Sequence, residues 1–407
     1  MNLIELILII ALLFGLSDFF TARYPQLQRG IYHVALFVVT FLFTIKYYYG
    51  PDIAQYVPFY ANTPTIRQAL THPDDIRYGF EPGFAVFCRM LNDWGVSFYW
   101  MTAIVSLFYF GAIALLFRHI ERKQAFALAI LVIMDYRCIF ATYRQCLAVA
   151  CFVLMVLCLR NKRYLMVTVL AVLTAAFHKS GIFVVSVVLF YYMVRGKWVK
   201  PYVYQILLLV LLLVFLLPIA GISSDFIAHL PLPDSYIYSL KHHLSLGRQV
   251  QSVFLVYAVT LVFTAHFTEY RHSRSQTIAA VALVGLVIVA VLYQYYYLLE
   301  RLRSYFLPII IVYVFRLVQT AEEEHWQVPY GTLLKQLCTL VIVLYLGHSI
   351  LFLHRGTQQL KNNVYASCTV FDLIDHRPSD VQNAQMKLAR KYWQEDFMKN
   401  EKNKVNR

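Results

Sequence analysis

Along most of its length the chain alternates long apolar runs with short polar breaks, beginning at once with LIELILIIALLFGLSDFF. A helix needs about 20 mainly apolar residues to cross a bilayer, somewhat fewer when neighbouring helices shield it. Runs of that kind fall near 3–20, 31–49, 97–117, 124–136, 144–159, 164–177, 182–194, 202–220, 250–267, 277–294, 304–318 and 332–353. The pattern predicts an all-α polytopic membrane protein with about twelve transmembrane helices. Residues 1–354 form the membrane domain and 355–407 a polar C-terminal tail. Within the tail a helix-like stretch runs from about Ser379 to Lys399, with Ser379 as a cap and Asp380 in the first turn.

Composition agrees with a bilayer as solvent. Of 407 residues 60% are hydrophobic and 14% charged, where soluble domains carry about 25% charged residues. The first run has no basic segment before it and no small-residue cleavage site after it, so it is expected to be a retained span and not a signal peptide. The net charge of +14 on such a chain points to cytoplasmic loops and anionic lipid, and away from nucleic acid. With the N-terminus outside, the cytoplasmic loops hold 14 basic residues in 50 positions, against 10 in the roughly twofold longer opposite set. That orientation places loops 50–96 and 221–249 on the extracytoplasmic side. An even number of spans then puts the tail outside as well, although it carries 10 basic and 6 acidic residues.

Charges within or beside spans are expensive and mark watery cavities or function. Arg137 and Arg144 in MDYRCIFATYRQCLAVA are seven residues apart, two turns and therefore one face if the segment is a single helix. Two cations pointing together suit a phosphate or pyrophosphate; snorkelling to headgroups is the competing explanation. Arg301 and Arg303 in YQYYYLLERLRSYF diverge on a regular helix and converge only at an irregular span end. His178 in TAAFHKSGIF is either a satisfied buried histidine or a proton-transfer or binding group. In the loop 50–96, Glu81 before Pro82 and Gly83, and Asp52, are the stronger candidates for a base or a sugar-hydroxyl partner. Asp74, Asp75 and Asp93 are ordinary loop or capping residues.

The seven cysteines form no CxxC pair, and the sequence contains no HExxH, no Cys/His cluster and no Walker-type loop. Neither a metal, a cofactor nor a required disulfide is expected, and the energy for any reaction comes from the substrate.

Four fragments in order, KYYYGPDIAQY, EPGF, YRQCLAVA and LTAAFHKSG, resemble the EpsG-like branch of the Wzy-type bacterial polysaccharide polymerases. The resemblance covers about residues 5–350. It departs at Lys46, where the family often has arginine; charge is kept but bidentate geometry is lost. The resemblance implies a GT-C-like architecture with the site at the extracytoplasmic face of the bacterial cytoplasmic (inner) membrane. It implies glycosyl transfer that joins undecaprenyl-pyrophosphate-linked oligosaccharide repeat units into an O-antigen, capsule or exopolysaccharide. Arg137, Arg144, Arg301, Arg303 and Lys46 would then hold the leaving pyrophosphate, with Glu81, Asp52 and His178 competing for the role of base. Membrane lipids and a chain-length regulator are the further partners implied. An O-antigen ligase would share the arginines but bring a larger outer domain. A transporter or flippase of lipid-linked sugars would place charges across the bilayer, whereas these cluster at one surface.

Overall fold

The computed structural model describes residues 3–47, 52–72, 76, 79–198, 276–291, 296–323, 339–340, 342–344, 346–351, 377 and 379–391. The expected spans 202–220 and 250–267, the loop 221–249, and Asp74 and Asp75 lie outside the described residues.

Among the described residues ten helices follow one another up to residue 198: α1 (Leu3–Phe20), α2 (Pro25–Thr44), α3 (Ile53–Ala61), α4 (Ile66–Thr71), α5 (Pro82–Asp93), α6 (Phe98–Phe117), α7 (Gln124–Ala141), α8 (Tyr143–Arg160), α9 (Tyr164–Phe177) and α10 (Ser180–Trp198). Beyond them come α11 (Gln276–Val291) and α12 (Tyr296–Glu323), and a C-terminal helix at 379–391. Five of these, α1, α2, α6, α7 and α8, are long and apolar enough to cross a membrane.

The chain divides into two compact units, 1–151 with 172–179 and 326–407, and 152–171 with 180–325. In the first unit α1 packs on α7 through a small-residue contact: a Cβ on Gly15 would lie 2.8 Å from the Ala129 Cβ. Close backbone approach of this kind is how helices associate where lipid removes the hydrophobic drive. The buried Asp18 carboxylate of α1 accepts from the Phe126 N–H at 2.9 Å and so satisfies one of the orphan donors at the start of α7. Helix α2 starts at Pro25 and not near residue 31, because a proline at the first helical position costs nothing there. It packs on α1, α6 and α7 and leaves Val34, Phe37 and Phe41 exposed, as a helix bordering lipid does.

The segment 50–96 carries the helices α3, α4 and α5. Thr65 and Gln68 form a reciprocal capping box at α4. Pro82 occupies the first turn of α5, with Glu81 at the N-cap. The C-terminal helix belongs to this same unit, where Gln382 Nε2 donates to the Tyr47 hydroxyl at 2.6 Å. The C-terminal helix therefore lies against the stretch that follows α2.

In the second unit α11 and α12 pack so closely that a Cβ on Gly285 would lie 2.5 Å from the Phe306 Cβ. Phe152 meets Tyr305 and Phe306 edge-on at 5.7 and 5.5 Å. The Ser180 hydroxyl donates to the Tyr305 hydroxyl at 3.1 Å.

Candidate active site

Two of the sequence fragments meet at α5. Glu81 has extended backbone and stands at the N-cap of α5, yet its carboxylate does not cap its own helix. Gly83 explains its placement: a Cβ there would lie 2.6 Å from the Ala176 Cβ and 2.7 Å from the Ala176 carbonyl oxygen. Only glycine lets the first turn of α5 sit on the last turn of α9. That approach brings Glu81 to the break after α9, where Oε1 accepts from the Lys179 backbone N–H at 2.9 Å. His178, buried, precedes it.

The third fragment supplies the cation. Arg144 lies in the first turn of α8, and its Nη1 donates to Glu81 Oε2 at 2.5 Å in a largely buried ion pair. Its Nε donates to the Tyr56 hydroxyl at 3.3 Å, and the guanidinium rests 4.2 Å above the Phe80 ring. Tyr56 comes from α3 and is fixed by Phe80 at 5.2 Å, Phe84 at 5.7 Å and Tyr143 at 5.0 Å. Arg144 is thus held on two nitrogens and one face, a geometry that a lysine does not reproduce.

Burial pushes the Glu81 carboxyl pKa up, but Arg144, His178 and the Lys179 N–H together outweigh it and hold Glu81 below its ordinary 4.5. Glu81 is therefore an anchored carboxylate and a weak base. Burial raises the Tyr56 hydroxyl, with Arg144 opposing and Asp52 and Glu81 reinforcing, so it stays protonated. Asp52 stands at the N-cap of α3 and reaches Tyr56 electrostatically. Among the described residues no group of three His, Cys, Asp or Glu side chains gathers to hold a metal ion.

The EpsG family model matches residues 31–362. The chain belongs to the EpsG family. No curated protein and no solved structure matches it. Membership makes it a membrane protein of polysaccharide biosynthesis, of the polymerase kind. The matched region contains every candidate residue named from the sequence, and the fold distributes them unevenly within this EpsG-family chain.

Glu81, Arg144 and His178 come together, with Asp52 on the adjoining helix. Arg137 does not join Arg144 on one helical face: α7 kinks at Asp135 and ends at Ala141, and Thr142 separates it from α8. The exposed Arg137 side chain bonds the hydroxyl of its neighbour Tyr136. Lys46 is wholly buried, and its ammonium donates to the Ile139 and Phe140 carbonyls at 3.2 and 3.3 Å. It also lies 4.9 Å from the centre of the Tyr143 ring. It caps the last turn of α7, where orphan carbonyls and the helix dipole favour a cation. Burial lowers its pKa to about 8. Arg301 and Arg303 lie in the regular helix α12 of the second unit, the first exposed and the second buried, so the irregular span end at which they would converge is absent there.

Three participants escaped the sequence reading. Tyr56 and Phe80 clamp the guanidinium, and the Lys179 N–H fixes Glu81. Tyr56 closes the fragment KYYYGPDIAQY and Phe80 directly precedes EPGF, but neither fragment says which ring does what. Asp135, buried at the α7 kink beside Arg137, was also not singled out.

Proposed function

We propose that this protein joins lipid-linked oligosaccharide repeat units into a surface polysaccharide by glycosyl transfer at the extracytoplasmic face of the bacterial cytoplasmic membrane. The observation that carries the reading is the immobilised Arg144. Its Nε and Nη1 are committed to Tyr56 and Glu81, and Nη2 is the nitrogen those contacts do not use. Arg144 stands in the N-terminal turn of α8, the end of a helix whose dipole favours an anion.

In the reaction proposed, the acceptor sugar hydroxyl attacks the anomeric carbon of the growing chain. The bond from that carbon to the undecaprenyl pyrophosphate breaks, and its electron pair leaves on the pyrophosphate. Arg144 neutralises that developing charge from a fixed position, so no reorganisation is needed during the step. Glu81 positions Arg144 and does not take the proton, since its pKa is held low. His178, beside Glu81, receives the hydroxyl proton, and Asp52 orients the acceptor through the α3 segment. For Arg137, Arg301 and Arg303 the proposal rests on the resemblance alone, which implies an anion-binding role for each.

The test is Arg144→Ala in the native host, with electrophoresis of surface glycan and analysis of the lipid-linked pool. Long chains vanish while single repeat units remain and the protein still inserts. Long chains accumulating on the carrier without final attachment would replace the polymerase with a ligase. Repeats trapped on the cytoplasmic side would make it a transporter.

A further inference from the structure

The helix of the polar C-terminal tail forms one wall of a cleft. Helix 379–391 turns Val381, Gln385 and Ala389 inward, at a spacing of four. The adjoining face carries Lys387, Arg390 and Lys391 onto an open cleft of about 830 Å³ whose other wall is Val57, Pro58 and Ala61 of α3. The cleft therefore has an apolar wall and a rim of three cations.

Its height relative to the bilayer is set by Tyr47, which holds the C-terminal helix through Gln382. Tyr47 lies three residues beyond the end of α2 at Thr44, so it is within about 10 Å of the point where that span ends. That is the layer in which phospholipid phosphates sit. Basic residues on an amphipathic helix at this depth attract anionic headgroups, while the apolar wall suits the glycerol and upper acyl carbons.

We propose that the cleft between α3 and the C-terminal helix is a binding site for the headgroup of an anionic phospholipid. The bound headgroup meets the cationic rim and ties the tail to α3, the helix that also carries Tyr56. The proposal does not depend on what reaction Arg144 serves.

The full chain, purified and delipidated in neutral detergent, is titrated with phosphatidylglycerol or phosphatidylcholine, and bound lipid is counted by native mass spectrometry. Wild type prefers phosphatidylglycerol. Replacing Lys387, Arg390 and Lys391 together by glutamine weakens its binding about a hundredfold, from roughly fivefold for each cation. Ala61→Trp, which fills the cleft from an exposed position and leaves the charge unchanged, weakens it as well. Equal binding of the two lipids by wild type would overturn the proposal, as would unchanged binding in both variants. Loss in the triple variant alone would reduce the effect to diffuse surface charge and overturn it too. Undecaprenyl pyrophosphate is added in a final arm: if it displaces phosphatidylglycerol from wild type at equal concentration, the cleft is a substrate site and not a phospholipid site.

Discussion

Removing Glu81 is the sharpest perturbation of the Arg144 cluster. The carboxyl group is almost fully buried, and the Arg144 side chain is 19% exposed. Deleting one partner of such a pair leaves the other as an uncompensated buried charge, at a cost of about 3–5 kcal/mol. Partial exposure of Arg144 places the expectation near the lower end, about 3 kcal/mol. Glu81→Ala therefore destabilises by about that amount, and Glu81→Ala with Arg144→Ala by much less than the sum of the single variants. A double-mutant cycle on unfolding in mixed micelles, followed by tryptophan fluorescence, yields a coupling of about 2 kcal/mol or more. The pH dependence has a definite sign. Because the folded pKa of Glu81 is depressed, its contribution is complete above the unfolded value near 4.5 and is lost as pH falls through the lower folded value. The wild-type advantage over Glu81→Gln is thus flat from pH 5 to 8 and shrinks only in stronger acid. Additive single effects, or a loss already visible near neutrality, would refute the view of Glu81 as an anchored carboxylate.

Tyr56→Phe removes the hydroxyl that receives the Arg144 Nε and leaves the ring packing; chain elongation on lipid-linked repeats slows about five- to tenfold with little change in thermal stability. Gly83→Ala forces a Cβ into Ala176, costs about 1–3 kcal/mol in thermal unfolding, and is only partly rescued by Ala176→Gly because the Ala176 carbonyl is also in the way. Lys46 is charged at a buried site, so its folded pKa of about 8 lies below the unfolded 10.5; relative to Lys46→Met, wild type gains stability as pH rises from 8 towards 10.5, read from paired melting curves.

Much of the scaffold was legible because hydrophobic run length is a strong signal in a bilayer. The ends of α1, α6 and α9 fall within a residue of the runs that predict them. The candidate site was legible in its parts but not in its assembly. EPGF and AAFHKSG stood out separately; that Gly83 lands on Ala176 is a packing fact that neither fragment contains. Seven-residue spacing suggested a shared face for Arg137 and Arg144, and the break at Thr142 cancels the helical geometry on which that inference depended. Lys46 was assigned to a ligand because of its charge and its place in a motif, yet its ammonium ends on α7 carbonyls. The short helices α3–α5 carry too few residues for periodicity to specify, and the helix at 379–391 gave no sign of what it packs on.

The bond between Gln382 and Tyr47 joins positions 335 residues apart, and this separation has a consequence in time. At roughly 5–20 residues per second, Gln382 is synthesised between roughly twenty seconds and one minute after Tyr47. During that interval α3 waits at the membrane surface with one flank uncovered, while the spans between are inserted. The cleft therefore closes later than the Glu81–Arg144 pair, whose parts all precede residue 180. A chain arrested before residue 379 still contains Glu81, Arg144 and their clamp but lacks the second wall of the cleft beside α3.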